Sequence, residues 1–209
     1  MKKGILFDLD GTLWDSREAV ALSWNIALER MGRPERCTAE WIGSHMGLTM
    51  DAFARALFPA ETQEKAERML GECLREENEY IRRHGGILME GLEETLKALK
   101  EQGFFLAIVS NCQEGYIEAF LEYHGLGKYF DDLENFGRTR KSKGANIRLV
   151  AERNHLDETV YLGDTQGDYD AAEEAGVPFL HAAYGFGKVP EDTPAISDIR
   201  QLPEAVLNA

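Results

Sequence analysis

Two aspartates stand two residues apart in GILFDLDGTLWDS, Gly4 to Ser16, immediately behind a short apolar run. Asp8 comes straight off that run, whereas Asp10 sits at a turn signalled by Gly11. Asp164 follows a second apolar run in TVYLGDTQGDYD, with Asp168 four residues later. Carboxylates brought within a few ångströms raise one another's pKa unless a divalent cation lies between them. An oxygen-only ligand set of Asp8, Asp10 and Asp164 points to Mg²⁺ or Mn²⁺ in preference to zinc. A cation beside an ionised aspartate suits phosphoryl transfer, with the carboxylate attacking phosphorus. Asp8 is the better placed nucleophile, and Asp10 can protonate a leaving oxygen and then deprotonate water.

Phosphate also needs donors and positive charge. Thr12 and Ser110 offer hydroxyls, and the amides around Asp10, Gly11 and Asn111 can form an anion nest. Lys141 or Lys143 can offset the remaining charge just before a helix whose N-terminus adds a favourable dipole. Asp168 can cap the helix after GDTQG and accept bonds from the loop or from metal-bound water. Asp170 faces elsewhere, and Tyr184 to Gly187 forms either a mobile loop near the site or a packed aromatic between glycines.

These residues need a scaffold that gathers them. Ile5 to Phe7, FFLAIVS, KYFDDLEN, TVYLG and VPFL read as short strands. GLEETLKALKEQG, QEGYIEAFLEYHG, KSKGANIRLVAERNH and GDYDAAEEAG read as the helices between them, and LPEAVLN as a closing helix. Such alternation predicts an α/β fold, a Rossmann-like parallel sheet sandwiched by helices, with ligands at the carboxyl ends of the strands. Directly after the first strand, residues 15–85 break the alternation with apolar residues at helical spacing, Thr38 as a cap, and the charged stretch TQEKAERMLGECLREENEYIRRH. The expected organisation is an inserted helical cap at 15–85 within a core of 1–14 and 86–209.

Composition limits the partners. A chain of 209 residues can bury roughly 70% of its unfolded surface. The net charge of −14 opposes nucleic acid and anionic membranes, and GRTRKSK is the one dense basic stretch. The apolar run before Asp8 is too short for a signal peptide, and no stretch approaches the roughly eighteen apolar residues of a membrane span. Cys37, Cys73 and Cys112 are widely spaced and odd in number, which suggests reduced thiols. A cytoplasmic protein with no protein partner is expected.

Together DLDGTLWDS, VSN, a lysine before a helix and GDTQGD resemble the haloacid dehalogenase-like hydrolase superfamily, and within it the phosphoglycolate phosphatase-like branch. That resemblance implies Asp8 as nucleophile, Asp10 as general acid and base, and Mg²⁺ held by Asp8, the Asp10 carbonyl and Asp164. It further implies phosphate binding by Ser110, charge neutralisation by Lys143 and metal support by Asp168. Neither lysine precedes the proline usual in the family. Lys143 is preferred over Lys141 for its proximity to the expected buried stripe of Ile147, Val150 and Ala151. A second aspartate in the first motif suits a phosphatase or mutase. The cap is expected to contact substrate through a loop, WIGSHMG, with Ser44 and His45 as candidates and Arg17 near the hinge as another. The implied activity is Mg²⁺-dependent hydrolysis of a small phosphorylated metabolite, phosphoglycolate being the named expectation. A β-phosphoglucomutase-like isomerase, a pyrophosphatase and a nucleotide or sugar phosphatase are the alternatives.

Overall fold

The computed structural model describes residues 1–207, and its first element is β1 (Lys3–Phe7). Ile5 and Phe7 pack into one apolar cluster and Leu6 into another, so the strand is buried on both faces, as a central parallel strand must be. A two-residue strand, β2 (Trp14–Asp15), leads into α1 (Arg17–Arg30), α2 (Ala39–His45), α3 (Met50–Leu57) and α4 (Gln63–His84). The chain returns through β3 (Ile87–Leu88), antiparallel to β2, with Trp14 opposite Leu88. Alternation then resumes with α5 (Leu92–Glu101), β4 (Phe105–Ser110), α6 (Tyr116–His124), β5 (Asp132–Asn135) and the short α7 (Phe136–Thr139). The remaining elements are α8 (Lys143–Arg153), β6 (Glu158–Gly163), α9 (Gln166–Ala175), β7 (Phe179–Ala182), β8 (Ala195–Ile196) and α10 (Leu202–Ala205).

Six strands form one parallel sheet in the order β5-β4-β1-β6-β7-β8. The sheet grows from β1 through β4 to β5, then crosses back to β6 and extends the other way. The resulting switch point beside β1 is where open α/β sheets bind ligands. Leu96 and Phe120, from α5 and α6, cover the face that carries Ile5 and Ile108. Ile147 and Ala172, from α8 and α9, cover the face of Leu6 and Val109. This is an α/β Rossmann-like sheet flanked by helices and interrupted by a helical subdomain.

That subdomain has its own core. Trp24, Leu28, Ile42, Phe53 and Leu70 pack together apart from the two clusters on the sheet. Thr38 starts α2 by accepting a bond from Trp41 N at 3.1 Å, as its position before an apolar helix predicts. No helix among the described residues is long and apolar enough to cross a membrane.

One local expectation is corrected. The buried stripe of α8 contains Lys143, Asn146, Ile147 and Val150, while Ala151 is only half-buried. Steps of three and four from Lys143 run through Asn146, Ile147 and Val150, and Ala151 falls at the edge of that face. The β2–β3 pair and β8 were not anticipated, because two-residue strands carry no alternation signal. The closing helix expected over LPEAVLN spans Leu202–Ala205, and Asn208 lies outside the described residues.

Leu28 is fully buried in the helical core. Leu28→Ala is expected to destabilise that core by about 2–5 kcal/mol. Hydrogen exchange should accelerate first in α1 and α4 and leave β1 and β4 protected; uniform acceleration across the sheet would contradict a separate helical core.

Candidate active site

Parallel strands bring their carboxyl ends to one edge. Asp8 follows β1 directly and donates its backbone N–H to Leu162 O at 2.8 Å, which extends the ladder onto β6. Ser110 ends β4 and Asp164 follows β6. Lys143 opens α8, whose cap is Ser142, accepting from Ala145 N at 3.2 Å. From there its Nζ donates to Asp8 Oδ1 at 2.8 Å and to Asp168 Oδ1 at 2.6 Å. Lys141 is exposed, so of the two candidate lysines only Lys143 reaches the carboxylates.

Asp168 does not itself cap α9. Thr165 holds the cap position and accepts from Asp168 N, while Asp168 Oδ2 accepts from Thr165 N at 3.0 Å and Thr165 Oγ1 at 2.7 Å. This reciprocal capping box places Asp168 in the first turn. Both its oxygens are therefore held, one by Lys143 and the other by Thr165.

Asp164 is wedged between two glycines. A β-carbon at Gly11 would lie 2.3 Å from Asp164 Oδ2, and Gly11 has φ +84°, a left-handed conformation glycine adopts freely. A β-carbon at Gly185 would lie 2.3 Å from the Asp164 β-carbon. Phe186 N donates to Asp164 Oδ2 at 2.7 Å and Tyr184 Oη donates to Thr12 O at 3.0 Å, so the Tyr184–Gly187 stretch clasps this aspartate. Asp164 Oδ1 is buried and has no hydrogen-bond partner. An orphaned carboxylate oxygen is costly in such a setting unless a cation meets it.

Asp8, Asp164 and Asp168 each offer an oxygen within 4.8 Å of the others. An all-oxygen set of this kind fits a divalent cation, with the freer oxygens on Asp8 and Asp164. The Asp10 side chain is not in this group. Burial lifts Asp8 well above the usual carboxylate range, with the Asp168 charge adding to it and Lys143 opposing it. Burial, helped by Asp168, pushes Asp164 up to about 7. For Lys143 burial opposes the charge, but Asp168 and Asp8 outweigh it and hold the pKa well above the ordinary lysine value.

Asp10 has a different environment. Trp14 Nε1 at 3.0 Å, Tyr116 Oη at 2.8 Å and the Ser16 hydroxyl all donate to its Oδ1. Burial still raises its pKa against those three bonds, which favour the charged form. With Oδ1 saturated, Oδ2 is the oxygen left to carry a proton.

A cleft lies over these groups. Asp8, Asp10, Ser110, Asn111 and Lys143 line its core side, and Trp24, Ile42, Leu48, Phe53 and Glu77 line its helical side. Gly11 and Thr12 do not line it; the Thr12 hydroxyl is buried without a partner. Ser44 and His45 are not brought to it either. The expected loop is the last turn of α2, where Ser44 Oγ and His45 Nδ1 both bond Trp41 O at 2.8 Å. The His45 ring also stacks on Trp41 at 4.1 Å, and Met46, Gly47 and Leu48 occupy the cleft in their place. Arg17 pairs with Asp15 at 2.7 Å and lies over the Phe186 ring, outside the cleft.

Sequence reasoning missed Tyr116, Trp14 and Glu77. Tyr116 and Trp14 meet Asp10 only through the tertiary fold or a turn, with no local pattern to mark them. Glu77 did carry a signal: it falls on the stripe Ala66, Leu70, Cys73, Glu77, Ile81 of α4, at the spacing of a buried face.

A parallel sheet interrupted after its first strand, a buried aspartate held by lysine at that strand's end, and a second acidic group one strand away define a phosphoryl-transferring hydrolase with an aspartate at its centre. A family model described as haloacid dehalogenase-like hydrolase matches residues 5–182, and the chain belongs to this family of enzymes. It is 30% identical to a phosphoglycolate phosphatase of Pseudomonas syringae pv. tomato, over 97% of this chain and 79% of the relative. It is 29% identical to the phosphoglycolate phosphatase of Escherichia coli K12, over 88% and 82% of the two chains. A solved haloacid dehalogenase-like hydrolase from Bacteroides fragilis superposes with a TM-score of 0.82 at 27% identity, over 97% of this chain and all of the other. CbbY from Rhodobacter sphaeroides, solved with phosphate, shares the fold at TM-score 0.82 and 18% identity, over 97% and 96% of the two chains.

Asp164 supplies a pH test of the cation site. Between the ordinary aspartate value of 3.8 and about 7, the folded chain keeps a proton on Asp164 that the unfolded chain has released. Cation-free stability from this group therefore falls as pH rises through that window, and a divalent cation replaces the lost proton. A fixed Mg²⁺ concentration about 100-fold over its Kd at pH 8 should raise the melting temperature by roughly 5–10 °C at pH 8 and, because protonation of Asp164 weakens binding, by much less at pH 5. Equal shifts at both pH values would count against Asp164 as a ligand.

Proposed function

We propose that this chain hydrolyses a small phosphomonoester with Mg²⁺ through an aspartyl-phosphate on Asp8, with Asp10 as general acid and then base, and residues 15–85 as a lid. The observation that carries the reading is Asp10, half-buried two residues from Asp8 with Oδ1 saturated by three donors, so that its remaining oxygen can deliver a proton. An alkoxide leaving group needs such a proton.

Ser110 and Asn111 hold the phosphoryl oxygens, and Lys143 favours the ionised form of Asp8 against burial and orients it through its bond to Oδ1. The other Asp8 oxygen attacks phosphorus as the ester P–O bond breaks, and the Asp10 proton passes to the departing oxygen. Asp10, now a carboxylate, takes a proton from water, and the resulting hydroxide attacks phosphorus and frees Asp8. When bound, a divalent cation held by Asp8 and Asp164 draws charge from the phosphoryl oxygens and permits approach of an anionic carboxylate. The apolar lid side of the cleft excludes bulk water while the acyl phosphate exists.

Phosphoglycolate enters as a candidate through the names of the relatives at 29–30% identity. The family and the arrangement around Asp8 support the reaction; the identity of the leaving group is a separate matter.

Asp8→Asn is expected to lower turnover by about 10⁴-fold or more while the circular dichroism spectrum stays unchanged. Activity within tenfold of wild type would remove the nucleophile assignment. Asp10→Asn should slow alkyl phosphates by about 10²–10⁴-fold and p-nitrophenyl phosphate much less, because p-nitrophenolate leaves without a proton. Equal losses for both ester types would argue against proton donation.

A further inference from the structure

The helical side of the cleft has a chemistry of its own. Val20, Ile42, Leu48, Phe53 and Leu74 make it apolar, and into this wall α4 inserts one ionisable group, Glu77, which is 4% exposed. Trp24 Nε1 donates to Glu77 Oε2 at 2.6 Å. Among the described residues lining the cleft the only basic side chain is Lys143, and Asp8 and Asp168 already hold it. Arg17 is engaged by Asp15 and borders a different depression, as do Arg75 and Arg140.

We propose that this chamber selects phosphoesters whose leaving group bears no negative charge and donates a hydrogen bond to Glu77, that is, phosphates of polyols or amino alcohols. The inference rests on the phosphatase reading above and names its substrate class. It also sets this chain apart from a phosphoglycolate hydrolase or a bisphosphate isomerase, since both substrates would bury a second anion in the chamber.

Two physical arguments carry it. A carboxylate or second phosphate moved from water into an apolar wall needs a cation or several donors to offset its lost hydration, and the chamber has neither to spare. Burial, against the bonds from Trp24 and Gln113, lifts Glu77 to about 8, so at neutral pH it carries a proton. Sharing that proton with a substrate carboxylate would still leave one net negative charge in the chamber. A hydroxyl can instead donate to a Glu77 oxygen, and an ammonium group would draw Glu77 into its ionised form and pair with it.

Three esters of nearly equal size separate the possibilities: 2-hydroxyethyl phosphate, phosphoethanolamine and phosphoglycolate. The expected result is a kcat/KM for phosphoglycolate at least tenfold below that of the better of the other two. Glu77→Gln should narrow that gap severalfold, with phosphoethanolamine losing most, because an amide cannot pair with ammonium. Phosphoglycolate at parity or better would overturn the inference while leaving the reaction intact. If wild-type enzyme turned over none of the three, the phosphatase reading would be the one in question. The ranking would then be read as affinity for Asp8→Asn by calorimetry. Tighter binding of either uncharged or cationic leaving group than of phosphoglycolate supports the inference, and phosphoglycolate tightest, or no binding of any ester, overturns it.

Discussion

Lys143 bridges Asp8 and Asp168 within a buried edge of a parallel sheet, and the site is organised around that one cation. Three carboxylates from two strand ends and a helix crowd together there, so burial and the neighbouring charges favour the protonated forms of Asp8 and Asp164. A lysine at the first position of α8 opposes this from inside the cluster. It leaves an unpartnered oxygen on Asp164 and a second oxygen on Asp8 that it does not use. Much of the surrounding architecture serves to hold this arrangement: Ser142 caps α8 so that it starts at Lys143, and Thr165 fixes the oxygen of Asp168 that Lys143 does not use.

Asp10 lies two residues from Asp8 and has the opposite environment. Its neighbours are neutral donors rather than charges, and all three act on one oxygen. Burial raises both aspartates, but what opposes it differs: a lysine charge at Asp8, and at Asp10 neutral donors that occupy one oxygen and leave the other free. Separation of this kind is how a pair of like side chains can take the distinct roles of nucleophile and proton donor.

The helical insertion contributes no ligand to the acidic cluster. It has a core of its own and meets the site with apolar side chains and one buried carboxyl, so its selectivity works by exclusion of charge as much as by contact. The chemistry resides in the sheet edge and the discrimination in the insertion, and the two are connected through the short β2–β3 pair.

Strand and helix alternation, the break after the first strand, the acidic residues Asp8, Asp10, Asp164 and Asp168 behind strands, and a lysine at 141 or 143 before a helix were all legible in the sequence. Each rests on local signals: apolar runs, glycine stops and acidic residues directly behind strands. The loop expected over WIGSHMG, where Gly43 and Gly47 bracket Ser44 and His45, is instead the last turn of α2, which turns both side chains back onto Trp41. Tyr116 has no local mark at all, since it meets Asp10 only once α6 packs beside β1. Sequence by itself determined the fold class, the family and the cluster of carboxylates, because period and spacing are properties of neighbouring residues. Tertiary structure alone decided which lysine reaches that cluster, which oxygen of Asp10 stays free and what lines the chamber opposite, because these depend on which distant side chains the packed sheet and insertion bring within bonding distance.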